Sequence, residues 1–142
     1  MAWNTTTSSA SGATPSGSWN TSTYPSNWNT HPCPDGYRLP TNTEFQNLIN
    51  ASTVSRGGGW NSSDYGYIRF TSASNSVEFP AVGGRDNNSF GSLLSSVGAC
   101  GEYWSSVATG PGYAYSLYFT IGSLSVHGNS NKQYGHSVRC VR

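Results

Sequence analysis

Apolar residues recur along this chain in different rhythms, and each rhythm predicts an element. Phe45, Leu48 and Ile49 fall three and four apart, the period of one helix face. Thr41 precedes them and Glu44 stands three residues on, the capping-box spacing in which each side chain satisfies a backbone amide left over at a helix start. A helix from about Asn42 to Asn50 follows. Ahead of it, Pro34-Asp35-Gly36 is a turn signal and Tyr37 to Leu39 a short strand. Strict alternation marks Ala114-Tyr115-Ser116-Leu117-Tyr118-Phe119, with Tyr115, Leu117 and Phe119 on one face and Ser116, Tyr118 and Thr120 on the other. One face is core and the other is available. Shorter patterns predict strands at Tyr67 to Phe70, at Val77 to Phe79, around Leu124 and Val126, and at Val138 to Val141. Ser55 to Asn61, with three successive glycines, reads as a break, and Pro80 leads through Arg85 into a loop at Asn88. The sum is an α+β chain of short antiparallel strands with one or two helices and long loops.

Composition narrows the class. The 142 residues fit one domain with a single core. Residues 1–30 are rich in Ser, Thr, Asn, Gly and Pro yet carry Trp3, Trp19, Tyr24 and Trp28, which predicts an irregular arm pinned to the domain by its rings. Residues 31–142 then form the domain proper. Charged residues are 9% and aromatics 13% of the chain, with 17 Gly and 5 Trp, so the core must rest on large rings and the surface on Ser, Thr and Asn. That balance suits a module displayed outside the cytoplasm or on a virion. A formal net charge of +1 offers no basic face for nucleic acid, and no apolar run is long enough to span a bilayer. No secretory apolar segment follows Met1, which points to an excised mature domain or to export by another route, such as a phage particle.

Candidate chemistry is sparse. The six carboxylates are scattered singly, His31 lies in a Pro-rich stretch, and His127 and His136 have no carboxylate beside them in sequence, so no acid/base pair is visible and a non-enzymatic role is expected. Cys33, Cys100 and Cys140 are too widely spaced for a zinc pattern and allow at most one disulfide.

The strings CPDGYRLPTNTEFQNLI, FPAVGGRDNNSFGSL, YWSS, AYSLYF and GHSVRCVR, in this order over roughly Trp28 to Arg142, resemble the Fibrobacter succinogenes major paralogous domain, widespread in Bacteroidetes proteins. The resemblance implies the C-type lectin-like fold, which the variable proteins of diversity-generating retroelements also carry. In those proteins adenine-directed mutagenesis rewrites a C-terminal segment while the scaffold stays fixed. The resemblance therefore implies a binding face within residues 101–142, made by outward or loop residues of the types such mutagenesis yields: Thr109, Gly110, Gly112, Tyr113, Ser116, Tyr118, Thr120, Gly122, Ser123, Ser125, His127, Asn129 and His136. Trp104, Tyr115, Leu117, Phe119, Leu124 and Val138 would be the inward frame.

It also implies that Cys33 and Cys140, on the opening and closing strands, are adjacent and form a disulfide, leaving Cys100 as a free thiol or a link to another chain. The cysteine pair of formylglycine-generating enzymes of the same fold is absent, as are the Glu-Pro-Asn, Gln-Pro-Asp and Trp-Asn-Asp motifs by which lectins of the fold hold calcium. No cofactor is expected; the sequence leaves room for a structural calcium ion held by backbone carbonyls and Asp64 or Asp86. The expected function is a receptor-recognition or display module, extracellular, on a cell surface or on a phage virion, contacting a protein or glycan with Tyr113 and Tyr118 as anchors. The competing expectation is a static structural or adhesive domain of a bacterial cell-envelope protein.

Overall fold

The computed structural model describes residues 32–61, 65–85, 94–110, 112–132 and 134–142. The arm at 1–30, His31, and Asp64 and Asp86 as calcium ligands lie outside the described residues. The protein is an α+β chain, mostly antiparallel sheet with one short helix. The helix, α1, is Asn42–Ala51. Thr41 caps it as its spacing predicts: the Glu44 amide donates to Thr41 Oγ1 at 3.1 Å and the Thr41 amide donates to Glu44 Oε2 at 2.7 Å. The Arg38 guanidinium forks onto the same carboxylate and holds it down to about 2, below the usual carboxylate range.

Strands β1 (Thr53–Gly57), β2 (Tyr67–Ser72) and β3 (Asn75–Pro80) form an antiparallel sheet in that order. The glycine-rich stretch is thus strand through Gly57, a correction to the expected break at Ser55. Gly57 faces Tyr67 across the pair, and a Cβ there would lie 2.3 Å from the Tyr67 hydroxyl, so the glycine admits the tyrosine instead of ending the strand. A two-residue pair, β4 (Gly84–Arg85) with β5 (Leu94–Ser95), leads to the C-terminal sheet. That sheet is β6 (Cys100–Ala108), β7 (Tyr113–Thr120) and β8 (Leu124–Asn131), with β7 central.

Cross-strand register divides the C-terminal sheet into two chemistries. Tyr103 pairs with Leu117, and Phe119 with both Gly101 and Leu124, so these residues point to one side. On that side a ring cluster forms the main core. Phe79 meets Phe45, Phe70 and Tyr103 edge-on at 6.4, 5.6 and 5.0 Å between centroids, and Tyr103 stacks on Phe119. A second buried cluster gathers Cys33, Leu39, Trp104, Ala108 and Ala114 where the two ends of the described chain meet. There the expected strands at Tyr37 and Val138 shrink to a single antiparallel bridge, in which the Arg38 and Val141 amides each donate to the other's carbonyl at 2.8 Å. Cys33 and Cys140 are bonded beside it, 107 residues apart in sequence. Among the described residues no helix is long and apolar enough to cross a membrane.

Closing so long a loop removes much of the unfolded chain's freedom. Replacing Cys33 and Cys140 together with alanine should lower the unfolding free energy by about 2–5 kcal/mol, read by guanidinium denaturation. A change of a few tenths would show that the Arg38–Val141 bridge and the Trp104 cluster close the domain without it.

Candidate functional site

The second side of the C-terminal sheet is polar. Register places Cys100, Glu102 and Trp104 of β6 opposite Thr120, Tyr118 and Ser116 of β7, and these last two opposite Ser125 and His127 of β8. Segment 134–137 runs beside the outer edge of β6, with Tyr134 and His136 lining the cavity on this side. The Gly135 and Arg85 amides donate to each other's carbonyls, and the Trp104 amide donates to the Ser137 carbonyl at 2.9 Å. Between that segment, the turn at Ser96–Ala99 and the strands lies a cavity of about 370 Å³ bordered by Glu102, Tyr118, Thr120, Tyr134, His136 and Arg85, with Cys100 in its wall.

Glu102 is the hub. Its Oε1 accepts from Ser130 Oγ at 3.1 Å and Ser116 Oγ at 3.3 Å, and it lies 3.3 Å from His136 Nε2 and 3.5 Å from His127 Nε2. Protons are scarce here. Ser116 and Ser130 also bond each other at 2.7 Å, so two hydroxyl protons serve three contacts. His127 Nδ1 donates to Asn129 Oδ1 at 2.6 Å, and its Nε2 is turned toward Ser116 and Glu102. His136 is wedged between Trp104, 4.3 Å away centroid to centroid, and Tyr134, with both ring nitrogens buried and unpartnered.

Burial decides the titration of this cluster. It pushes the Glu102 carboxyl above its usual range, against the opposing pull of the Ser130 hydroxyl, His127 and the Ser116 hydroxyl. It drives His136 down to about 3, with His127 adding to the effect, so the contact between His136 and Glu102 is not an ion pair near neutrality. Cys100 is a half-buried free thiol pushed upward by burial and then by Glu102, which makes it a poor nucleophile. Among the described residues no group of three or more His, Cys, Asp or Glu side chains is placed to hold a metal ion.

Eleven of the thirteen residues expected to form one face fall into three places. Tyr118, Thr120 and His127 surround the cavity or the carboxylate within it, with Ser125 and Asn129 exposed beside them. Thr109, Gly110, Gly112 and Tyr113 lie at the β6–β7 end, tied down where Lys132 donates from Nζ to the Gly110 carbonyl and from its amide to the Gly112 carbonyl. Gly122 and Ser123 form the β7–β8 turn, where Arg56 donates to the Thr120 and Ser123 carbonyls.

Two placements are corrected. Ser116 is fully buried, because Ser130, Glu102 and Trp104 fill the space above it, and His136 is buried beneath Tyr134 on Trp104. Neither is outward. Tyr115, expected inward, is half-buried and leans on Gly128 past an irregularity in the β7–β8 register. The residue that sequence reasoning missed is Glu102. Its signal was its solitude, since no other Asp or Glu occurs between residues 101 and 142. Comparison of the chain with family models, with curated proteins and with solved structures returns no match.

The two opposed shifts give stability a readable pH dependence. The unfolded His136 takes a proton near 6.5 and the folded one only near 3, so its contribution is complete above pH 6.5 and is lost as pH falls. Glu102 acts the other way: folded, it binds its proton more readily than unfolded, so its contribution weakens as pH rises above 4.5. In urea titrations between those limits, His136→Gln should remove an acid-side slope of up to about 1.4 kcal/mol per pH unit. Glu102→Gln should steepen that slope, and a wild-type profile matched by both variants would refute the assignment.

Proposed function

We propose that the chain is a non-enzymatic ligand-binding module of the C-type lectin-like class, a receptor-recognition or display protein whose recognition face lies in residues 101–142. The observation that carries this reading is the polar cavity on one side of β6–β7–β8, backed by a sheet whose other side is packed with rings. Recognition needs side chains that can change without disturbing the frame, and this sheet separates the two by strand alternation. Joined chain ends, with Cys33 bonded to Cys140 and Arg38 bridged to Val141, accord with the C-type lectin-like reading, in which opening and closing strands are neighbours. Exposed Tyr113 and half-buried Tyr118 supply rigid aromatic contact area at low entropic cost for a protein or glycan on a cell surface.

Replacing Tyr113, Tyr118 and His127 together with alanine should abolish binding on glycan and protein arrays while leaving the thermal midpoint within a few degrees of wild type. Binding that survives the triple change would instead favour a static adhesive domain. The diversified version of this reading has its own check. The coding segment for residues 101–142 should have a near-copy beside a reverse-transcriptase gene, with differences confined to adenines; differences at other bases would sink it.

A further inference from the structure

A carboxylate with one unused oxygen stands in the wall of the cavity, and that oxygen specifies a ligand chemistry. Glu102 is held on β6 with its side chain 18% exposed. All its hydrogen bonds arrive at Oε1, from the hydroxyls of Ser116 and Ser130. Oε2 accepts from none of the described residues, and no lysine or arginine among them forms an ion pair with the carboxylate. Carboxylates withdrawn this far from water are ordinarily paired with a cation, because their lost hydration must be replaced.

Two imidazoles crowd the same oxygen, at 3.5 and 3.3 Å, and leave Oε2 untouched. His127 spends its Nδ1 proton on Asn129, and His136 stays neutral with both nitrogens unpartnered while its ring borders the cavity. The remaining walls suit a positive charge. The rings of Tyr118 and Tyr134 border the opening, and tyrosine faces attract cations through the ring quadrupole.

We propose that this cavity binds a primary alkylammonium group, seated against Glu102 between Tyr118 and Tyr134. The inference rests on the recognition face proposed above and names the chemistry it takes. An ammonium brings three N–H donors and a full charge to a carboxylate that no lysine or arginine among the described residues pairs and whose Oε2 accepts no hydrogen bond from them. It is small enough to leave most of the cavity to the chain that carries it. That chain is either a lysine side chain on a protein surface or a free polyamine. Arg85 stands on the border of the same cavity and would favour an anion instead, so the test includes one.

The intact protein is titrated near neutral pH and at fixed ionic strength with butylammonium, 1-butanol and butyrate, following amide and ring resonances by NMR. Butylammonium should give saturable shifts centred on Glu102, Tyr118 and Tyr134, while butanol at equal concentration gives none. Glu102→Gln should weaken butylammonium at least about tenfold while its thermal midpoint stays at or above that of wild type, because the neutral amide avoids burying a charge. Equal shifts with butanol, preference for butyrate, undiminished binding by the folded Glu102→Gln protein, or no saturation at tens of millimolar would each overturn the proposal. A second pair of probes, acetyl-lysine amide with a free side-chain amine and spermidine, separates the two sources by which binds more tightly. Array binding that is lost in the Tyr113, Tyr118 and His127 variant yet unaffected by Glu102→Gln would sink the ammonium site and leave the recognition face standing.

Discussion

The site depends on one close approach, the Phe119 ring lying over Gly101. Those residues are cross-strand partners, and a Cβ at Gly101 would come within 2.1 Å of the ring. The missing side chain lets the ring close the core against Tyr103 and Trp60. With that contact made, the pairing of β6 with β7 has a single register. A slip of β6 by one residue would carry Tyr103 to the polar side and turn Glu102 into the ring cluster. Burying the carboxylate among apolar rings would be far costlier than its present place among hydroxyls at the cavity wall. Tyr103 adds a second lock, since its hydroxyl donates to the Pro80 carbonyl at 2.8 Å and so ties the C-terminal sheet to β3.

What could be read from the sequence was whatever depends on neighbours in sequence. The capping box at Thr41 and Glu44, the helix behind it and the two faces of β7 are set by spacings of two to four residues, and all are legible. The polar side of β7 was legible as a face; its covering was not. Period-two alternation shows which residues share a side, but whether that side meets water depends on segments far away. Here residues 134–137 return along the edge of β6 while Glu102 and Ser130 close over Ser116, and Ser116 and His136 disappear from the surface although their types suggest display. Glu102 was invisible for a related reason. It is 25 and 34 residues from the histidines it meets, and only strand pairing and that return bring them together. Where glycine served as a break signal at Gly57, its meaning depended on Tyr67 across the sheet, which local spacing cannot report.

The same geometry sets how much of the proposed recognition face can vary without disturbing the core. Ser125 and Asn129 are exposed, and Tyr118 and Thr120 open onto the cavity, so a new side chain at any of them meets solvent or ligand before it meets the core. Ser116 is different, because its hydroxyl lies in the only chain of donors that reaches Glu102 Oε1 among the described residues, and a larger residue has no room beside Ser130. His136 is different again. Its ring fills the space between Trp104 and Tyr134, and a Cβ on Gly84 would already approach Nδ1 within 3.2 Å. Change at either would first loosen the packing that keeps Glu102 partly dry, and a dry carboxylate attracts a cation more strongly than a solvated one. The surface that can be exchanged without disturbing the core is therefore narrower than residue types alone suggest: a rim of exposed side chains around a fixed acidic floor.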